Sequence, residues 1–335
     1  MIRRGLCLLL LGVLCLYGFG PASDLVPGPT SSTFRIVAYN AEWLFDGLHD
    51  PHDCPRSGPT AAQEHLEAVA DTLRAFEADY ISLAEVEDDS MLDRLNELLG
   101  GAYYPIFYPG KDSATRQNVA ALSAVAPTQS PSRTPERTVY PVPGSLLACG
   151  SGSQGVSKNY VVGLDLAGMA VTIVGVHFLA FPKWCEQAVQ REAQATIIAD
   201  TARAALEAGR EVIVLGDLND FDGAALDAAG NKPISRVLAI LKNLDPAVEG
   251  DELVNVCATL PQEDRYTDWY DRDSDHIDDG TREHSQIDFI LVSRGLAERI
   301  AFVTIAHTTP AGAVSDHWPI VLDLSIPSEV ASATP

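Results

Sequence analysis

The sequence predicts an α/β fold. Three observations lead there. Short β-branched apolar runs alternate with segments whose apolar residues recur at helical spacing. The chain is long enough to bury one large core. The apolar runs also stop abruptly at Asn, Glu, His or Asp. Polar residues at successive strand ends collect along one edge of a sheet core, where ligands usually bind.

The N-terminal segment stands apart from the fold. Arg3 and Arg4 precede an apolar run from Leu6 to about Phe19, and the small residues Gly20, Ala22 and Ser23 follow. That is the order of a secretory signal, with cleavage expected after Ala22 or Ser23. A retained anchor is the alternative, but the run is short for a bilayer core that needs roughly 20 helical residues. Cys15 follows the bulky Leu14 and so matches a lipid-attachment site poorly. Residues 1–23 are therefore read as a signal peptide and the protein as secreted or periplasmic. Residues 24–33, rich in Pro, Ser, Thr and Gly, form a flexible lead-in. Residues 34–326 form one domain and 327–335 a C-terminal tail.

Within the domain, Phe34–Ala38 reads as a strand ending at Tyr39 and Asn40. Ala62–Phe76 places Leu66, Val69, Ala70, Leu73 and Phe76 on one helical face. Tyr80–Leu83 is a buried strand closing on Glu85, and Met91–Leu99 is helical again. From Pro105 to Pro143 prolines and serines dominate, so loops are expected there around one strand at Val119–Val125. Tyr160–Leu166 and Val171–Val176 form a strand pair turning at Ala167-Gly168, and the second strand delivers His177. Residues 186–208 make a long amphipathic helix. Glu211–Leu215, Ile287–Val292 and Ile320–Leu324 are the later strands.

Without residues 1–23 the chain keeps 21 Lys+Arg against 46 Asp+Glu, about −25 by formal count. Such a field repels polyanions at long range and favours cations. A bound metal with a few local basic residues can still reverse the potential inside one cleft. Cys54, Cys149, Cys185 and Cys257 lie outside the signal. An even number in an exported chain predicts two disulfides with three possible pairings, the alternative being four buried thiols. None of the four is spaced as a structural zinc site requires.

The residues able to do chemistry sit at the strand ends. Asn40, Glu42 and Glu85 offer hard oxygens of the kind Mg²⁺ or Mn²⁺ prefers. Leu215-Gly216-Asp217-Leu218-Asn219 places two polar side chains two residues apart, read as pointing the same way from an extended backbone. The preceding glycine permits close approach. His177 ends a strand, where a histidine is more often a satisfied structural group than a catalyst. Ser315-Asp316-His317 joins an acid and an imidazole just before a strand. Asp288, inside an apolar run, would be an expensive buried charge without a partner such as histidine.

Taken in order, Tyr39-Asn40, Glu85, Gly175-Val176-His177, Gly216-Asp217-Leu218-Asn219, Gln286-Ile287-Asp288 and Ser315-Asp316-His317 resemble the motifs of the endonuclease/exonuclease/phosphatase superfamily. The resemblance spans nearly the whole domain. It implies a two-sheet β-sandwich flanked by helices, a four-layer deoxyribonuclease I-like fold with the active site at one edge. It implies a hydrolase acting on phosphoester bonds, with nuclease activity favoured and a phosphatase or phospholipid diesterase as the alternative. Glu85 corresponds to the principal metal ligand, helped by Asn40, Glu42 and Asp316. Asp217 corresponds to the residue that orients or deprotonates water, and Asn219 to the one that holds the phosphate. His317 would bond a non-bridging oxygen with its ring fixed by Asp288, and His177 would stabilise charge or protonate the leaving oxygen.

Two departures from the superfamily bear on substrate. Some DNA-cutting relatives carry an arginine two residues after the metal glutamate, where this chain has Glu87. The usual glutamate partner of the first histidine is not identifiable. Lys111 and Arg116 are the expected phosphate contacts. Nucleic acid is the favoured substrate, a small or lipid phosphoester is possible, and the chain is read as a monomer with no stable protein partner. In Asp271-Arg272-Asp273-Ser274-Asp275-His276-Ile277-Asp278-Asp279, carboxylates at Asp271, Asp273, Asp275 and Asp279 resemble the start of a Ca²⁺ loop. His276 stands where that loop expects glycine.

Overall fold

A computed structural model of the protein describes residues 31–327 apart from 49 and 53. The signal-like segment, most of the lead-in and residues 328–335 lie outside the described residues. The strands are β1 (Ser31–Leu44), β2 (Tyr80–Val86), β3 (Tyr104–Phe107), β4 (Asn118–Ser123), β5 (Arg137–Tyr140), β6 (Gly152–Gly155), β7 (Lys158–Leu166) and β8 (Met169–His177). They continue as β9 (Glu211–Asp217), β10 (Val254–Asn255), β11 (Asp268–Trp269), β12 (His284–Ser285), β13 (Asp288–Val292), β14 (Ile300–Ile305) and β15 (Ile320–Pro327). The α-helices are α1 (Pro59–Arg74), α2 (Asp89–Leu98), α3 (Cys185–Glu207), α4 (Val237–Leu241) and α5 (Arg294–Ala297).

Two mixed sheets carry the fold, one in the order β14-β15-β1-β2-β4-β3 and the other β10-β13-β9-β8-β7. Successive side chains on a strand point to opposite faces, and here both faces are apolar. On β1, Ile36 and Ala38 face the second sheet, joined by Tyr80, Val119 and Ala121, and they meet Tyr160, Val162, Ile173, Leu215 and Ile290. The alternate residues Val37, Tyr39, Ile81 and Leu83 pack outward under Leu66, Leu73 and Leu92 of α1 and α2. On the other side Val174, Val176, Val212 and Val214 pack under Ile198, Ala202 and Leu238 of α3 and α4. The result is the four-layer helix–sheet–sheet–helix arrangement that the sequence predicts.

Two glycines are required by close approach. A Cβ on Gly175 would lie 2.1 Å from the Tyr160 ring, and one on Gly216 would lie 2.1 Å from the Val176 carbonyl oxygen. Helix starts follow local signals: Pro59 opens α1 behind Gly58, and the Asp88 side chain caps α2 at the Met91 amide.

The structure differs from the sequence reading in three respects. β1 begins at Ser31, because Ser31–Thr33 pair with Pro327–Ser325 although they lack apolar pattern. The Pro105–Pro143 stretch is less loop-rich than expected. It contains β3 and β5 as well as β4, and β14 was likewise not anticipated. β3 and β14 are edge strands, where proline and exposed residues blur the alternation. The expectation of two disulfides is also corrected. Cys149 and Cys185 are bonded, whereas Cys54 and Cys257 are free and buried. Cys257 packs in the core between the sheets and Cys54 in the loop before α1, so burial rather than bridging accounts for them.

Candidate active site

Every inward-facing row of the second sheet ends on a polar side chain at the same edge. Lys158 pairs with His177 across β7 and β8, His177 with Asp217 across β8 and β9, and Asp217 with Asp288 across β9 and β13. These four share the face of Tyr160, Ile173, Leu215 and Ile290. On the first sheet the row Ile36, Ala38 ends at Asn40, and Asn40 pairs with Ala84 next to Glu85. His317 stands three residues before β15, with its backbone amide bonded to Ser315 Oγ, which in turn donates to the Asn40 carbonyl.

The side chains meet between the sheets. Asn40 Nδ2 lies 3.3 Å from Glu85 Oε1, 3.2 Å from Asp217 Oδ2 and 3.4 Å from His317 Nε2. His177 Nε2 is 3.6 Å from Asp217 Oδ2 and 3.9 Å from Glu85 Oε1. His317 Nδ1 is 2.6 Å from Asp288 Oδ2, so the partner expected for that buried aspartate is present. Glu42, Glu85 and Asn219 all adopt left-handed backbone, with φ of 48°, 64° and 50°. Such clustering of strained non-glycine residues marks functional sites more often than ordinary turns. At Asn219 it corrects the expectation of an extended backbone. The chain turns there, and the Asn219 amide donates to Asp217 Oδ1 at 2.8 Å.

Electrostatics divide the cluster. Burial and the neighbouring Asp288 push the Asp217 carboxyl well above its ordinary range. Burial and Asp316 raise Glu85. Burial lifts Asp316 to about 6 and Asp268 to about 7. Burial opposes charge on His317, but Asp288, Asp316 and Asp268 outweigh it and hold the ring well above the usual histidine range. His177 moves the other way, well below that range, through burial, Lys158 and His317. Its Nδ1 has no hydrogen-bond partner among the described residues. This agrees with the lack of a recognisable glutamate partner in the sequence.

The donor set fits a divalent cation. Carboxylate oxygens of Glu85 and Asp217 flank the Asn40 amide, 3.3 and 3.2 Å from its Nδ2, and Asp217, Asp288 and His317 group within 4.8 Å beside them. Burial first and neighbouring carboxylates second raise these groups, and a hard ion with oxygen ligands would relieve both costs. Glu42 is less available than expected, since its Oε2 accepts from Arg56 at 2.8 Å and from the Asp316 amide at 3.2 Å. Lys111 and Arg116 lie exposed on the loop before β4. The basic residue whose field reaches both Glu85 and His177 is Lys158, buried and 3.4 Å from Asp112. Its position at the first residue of an apolar strand was the only signal available in the sequence. Asp268, 3.8 Å from His317 Nε2, was also missed because β11 is only two residues long. In the acidic loop Asp271, Asp273 and Asp275 converge, while Asp279 binds Arg282 instead. The Asp271 carboxylate already accepts the amides of Ser274 and His276.

A family model described as Endonuclease/Exonuclease/phosphatase family matches residues 37–317, from the middle of β1 to His317 itself. The chain belongs to the endonuclease/exonuclease/phosphatase family. Solved structures similar to this family member include truncated TDP2 from Caenorhabditis elegans, at 18% identity and a TM-score of 0.55, covering 88% of this chain and 97% of that one. The 3′ phosphatase NExo from Neisseria, bound to product DNA hairpin, matches at 16% identity and a TM-score of 0.56, covering 87% and 99%. ANGEL2, a 2′,3′-cyclic phosphatase in complex with adenosine-2′,3′-vanadate, matches at 14% identity and a TM-score of 0.56, covering 88% and 96%. At these identities the likeness establishes the fold. No curated protein sequence matches. Family membership makes the chain a phosphoester-hydrolysing enzyme. No helix among the described residues is long and apolar enough to cross a membrane.

Proposed function

We propose that the chain is an exported, divalent-metal-dependent phosphodiesterase that cleaves nucleic acid. The observation that carries the reading is the convergence of Asn40, Glu85, His177, Asp217, Asn219, Asp288 and His317 at one edge of the sandwich. Glu85, with Asp316 at the rim, would hold Mg²⁺ or Mn²⁺, and Asn40 would join through Oδ1, which here accepts from the Glu42 amide while Nδ2 faces Glu85. When bound, the ion neutralises charge on the phosphate and leaving oxygens.

The protein's own groups supply the rest. Asp217, oriented by the Asn219 amide, accepts a hydrogen bond from the attacking water and takes its proton. His317, kept cationic by Asp288 at 2.6 Å, donates from Nε2 to a non-bridging phosphate oxygen. Asn219 holds a second phosphate oxygen. His177 is neutral, so it stabilises developing charge as a hydrogen-bond donor rather than acting as the resting acid. Lys158 adds fixed positive charge behind it.

Release of acid-soluble product from labelled DNA and RNA, with and without Mg²⁺, tests the proposal. Metal-dependent release is expected. Turnover of only a small or lipid phosphoester would replace nuclease by phosphatase or phospholipid diesterase.

A further inference from the structure

A groove of about 440 Å³ opens directly from the site, sharing Asn219 and Asp268 with it. Its outer wall is the segment between β8 and α3. There Phe181 and Trp184 stack on each other with centroids 4.5 Å apart and rings 17° from parallel. Both are about half exposed, at 53% and 58%, and Tyr270 across the groove is 68% exposed. Three large aromatics left in water around one groove are a ligand surface rather than a core.

The aromatic wall is held rigidly. Arg191 on α3 is wholly buried, and its guanidinium donates to the carbonyls of Leu179, Ala180 and Phe181 from one nitrogen and to that of Pro182 from the other. Phe181 is kept at φ 67°, a conformation that phenylalanine rarely adopts. Immediately after Trp184, Cys185 is tied to Cys149 by the disulfide. A buried arginine and a cross-link thus fix the backbone that carries the two stacked rings, which reduces the entropy lost when a ligand stacks on them.

Charge selects the ligand. On a chain of net charge −23, Lys183 and Arg272 both line this groove. Partial burial and repulsion from Arg272 lower the Lys183 ammonium while Asp227 opposes the shift, and its Nζ lies 5.6 Å from the Phe221 ring centroid at the groove wall. Two carboxylates, Glu283 and Asp268, line the same groove and already accept hydrogen bonds from protein donors. Glu283 accepts from the Trp269 indole and the Arg272 amide, and Asp268 from Ser285. Stacking rings beside paired cations are how proteins hold single-stranded nucleic acid.

We infer that the Phe181–Trp184 shelf stacks the base of a nucleotide flanking the scissile phosphate, while Lys183 and Arg272 receive that nucleotide's neighbouring phosphate. The shelf makes single-stranded nucleic acid the substrate class. The inference rests on the nuclease reading, and the experiment separates the two. Full-length wild-type, W184A and F181A proteins are compared on single-stranded oligothymidylate and on an abasic tetrahydrofuran oligomer of equal length. W184A should raise KM for oligothymidylate about tenfold and F181A somewhat less, with kcat within about twofold. KM for the abasic oligomer should not change, which also controls for folding. In parallel, oligothymidylate should quench wild-type tryptophan fluorescence more than the abasic oligomer does, and W184F should abolish the difference. Cleavage of DNA with equal KM in all three proteins and no base-dependent quenching would overturn the shelf and leave the nuclease reading standing. Base-dependent quenching without hydrolysis would keep the shelf and remove the nuclease reading. Quenching by phosphatidylcholine vesicles but not by oligonucleotide would assign the rings to a lipid surface and overturn the inference.

Discussion

His177 ends a strand of one sheet and His317 lies in the segment leading into a strand of the other, and both are nearly inaccessible, at 3% and 6% exposure. Burial alone would make both neutral. His317 instead has Asp288 at 2.6 Å with Asp268 and Asp316 near its other nitrogen, and it is held as a cation. His177 faces Lys158 across the strand pair and has no partner at Nδ1, so it is held neutral. The difference lies in the neighbours: burial leaves His177 neutral with Lys158 reinforcing it, whereas the carboxylates around His317 overcome the same burial. β13 brings a carboxylate to one histidine, and β7 brings an ammonium to the other.

The comparison can be broken most severely by removing a ring or the base between them. H317A, H177A and D217A should each lower kcat/KM by about 10²–10³-fold or more with the fold retained, measured by steady-state kinetics and circular dichroism. A loss of only a few-fold at all three positions would sink the assignment. E85Q should act next most strongly. It removes ligand charge without changing size, so the Mg²⁺ concentration needed for half-maximal activity should rise by about tenfold or more. An unchanged metal titration would place the ion elsewhere.

D288N isolates the cation. In metal-free wild-type protein the His317 ring should titrate well above the ordinary histidine pKa of about 6.5. Its contribution to stability is then fully present below that pH and is lost as pH rises through the folded pKa. D288N should move the ring's titration down, measured by NMR of the imidazole protons, and should shift the alkaline limb of activity to lower pH. The smallest effect is expected from K158M. Removing the ammonium should raise the His177 titration in the same spectra while leaving His317 little changed, with a loss of activity of about tenfold. Equal movement of both rings would show that the two sides of the site are not electrostatically separate.

Much of this was legible before the structure. Short β-branched apolar runs exposed the strands, and each stops at or just before a polar residue: Asn40 after Phe34–Ala38, His177 after Val171–Val176, Asp217 after Glu211–Leu215. Asp288 could be assigned a histidine partner because an unpaired buried carboxylate is too costly. Lys158 was passed over because a lysine at a strand's first residue ordinarily points into water. Only pairing with His177 shows that this one is buried.

The sequence by itself determined the alternation of strands and helices, the ordered polar strand ends and hence the family, because these depend on local periodicity and spacing. Only the tertiary structure decided which cysteines bond, that Asn219 sits in a turn and that Glu42 is claimed by Arg56. It also decided that, of two buried histidines, one is cationic and the other neutral. Each of these depends on groups far apart in the chain but within a few ångströms in space. Coulombic and hydrogen-bond energies fall off with that distance and not with separation along the sequence.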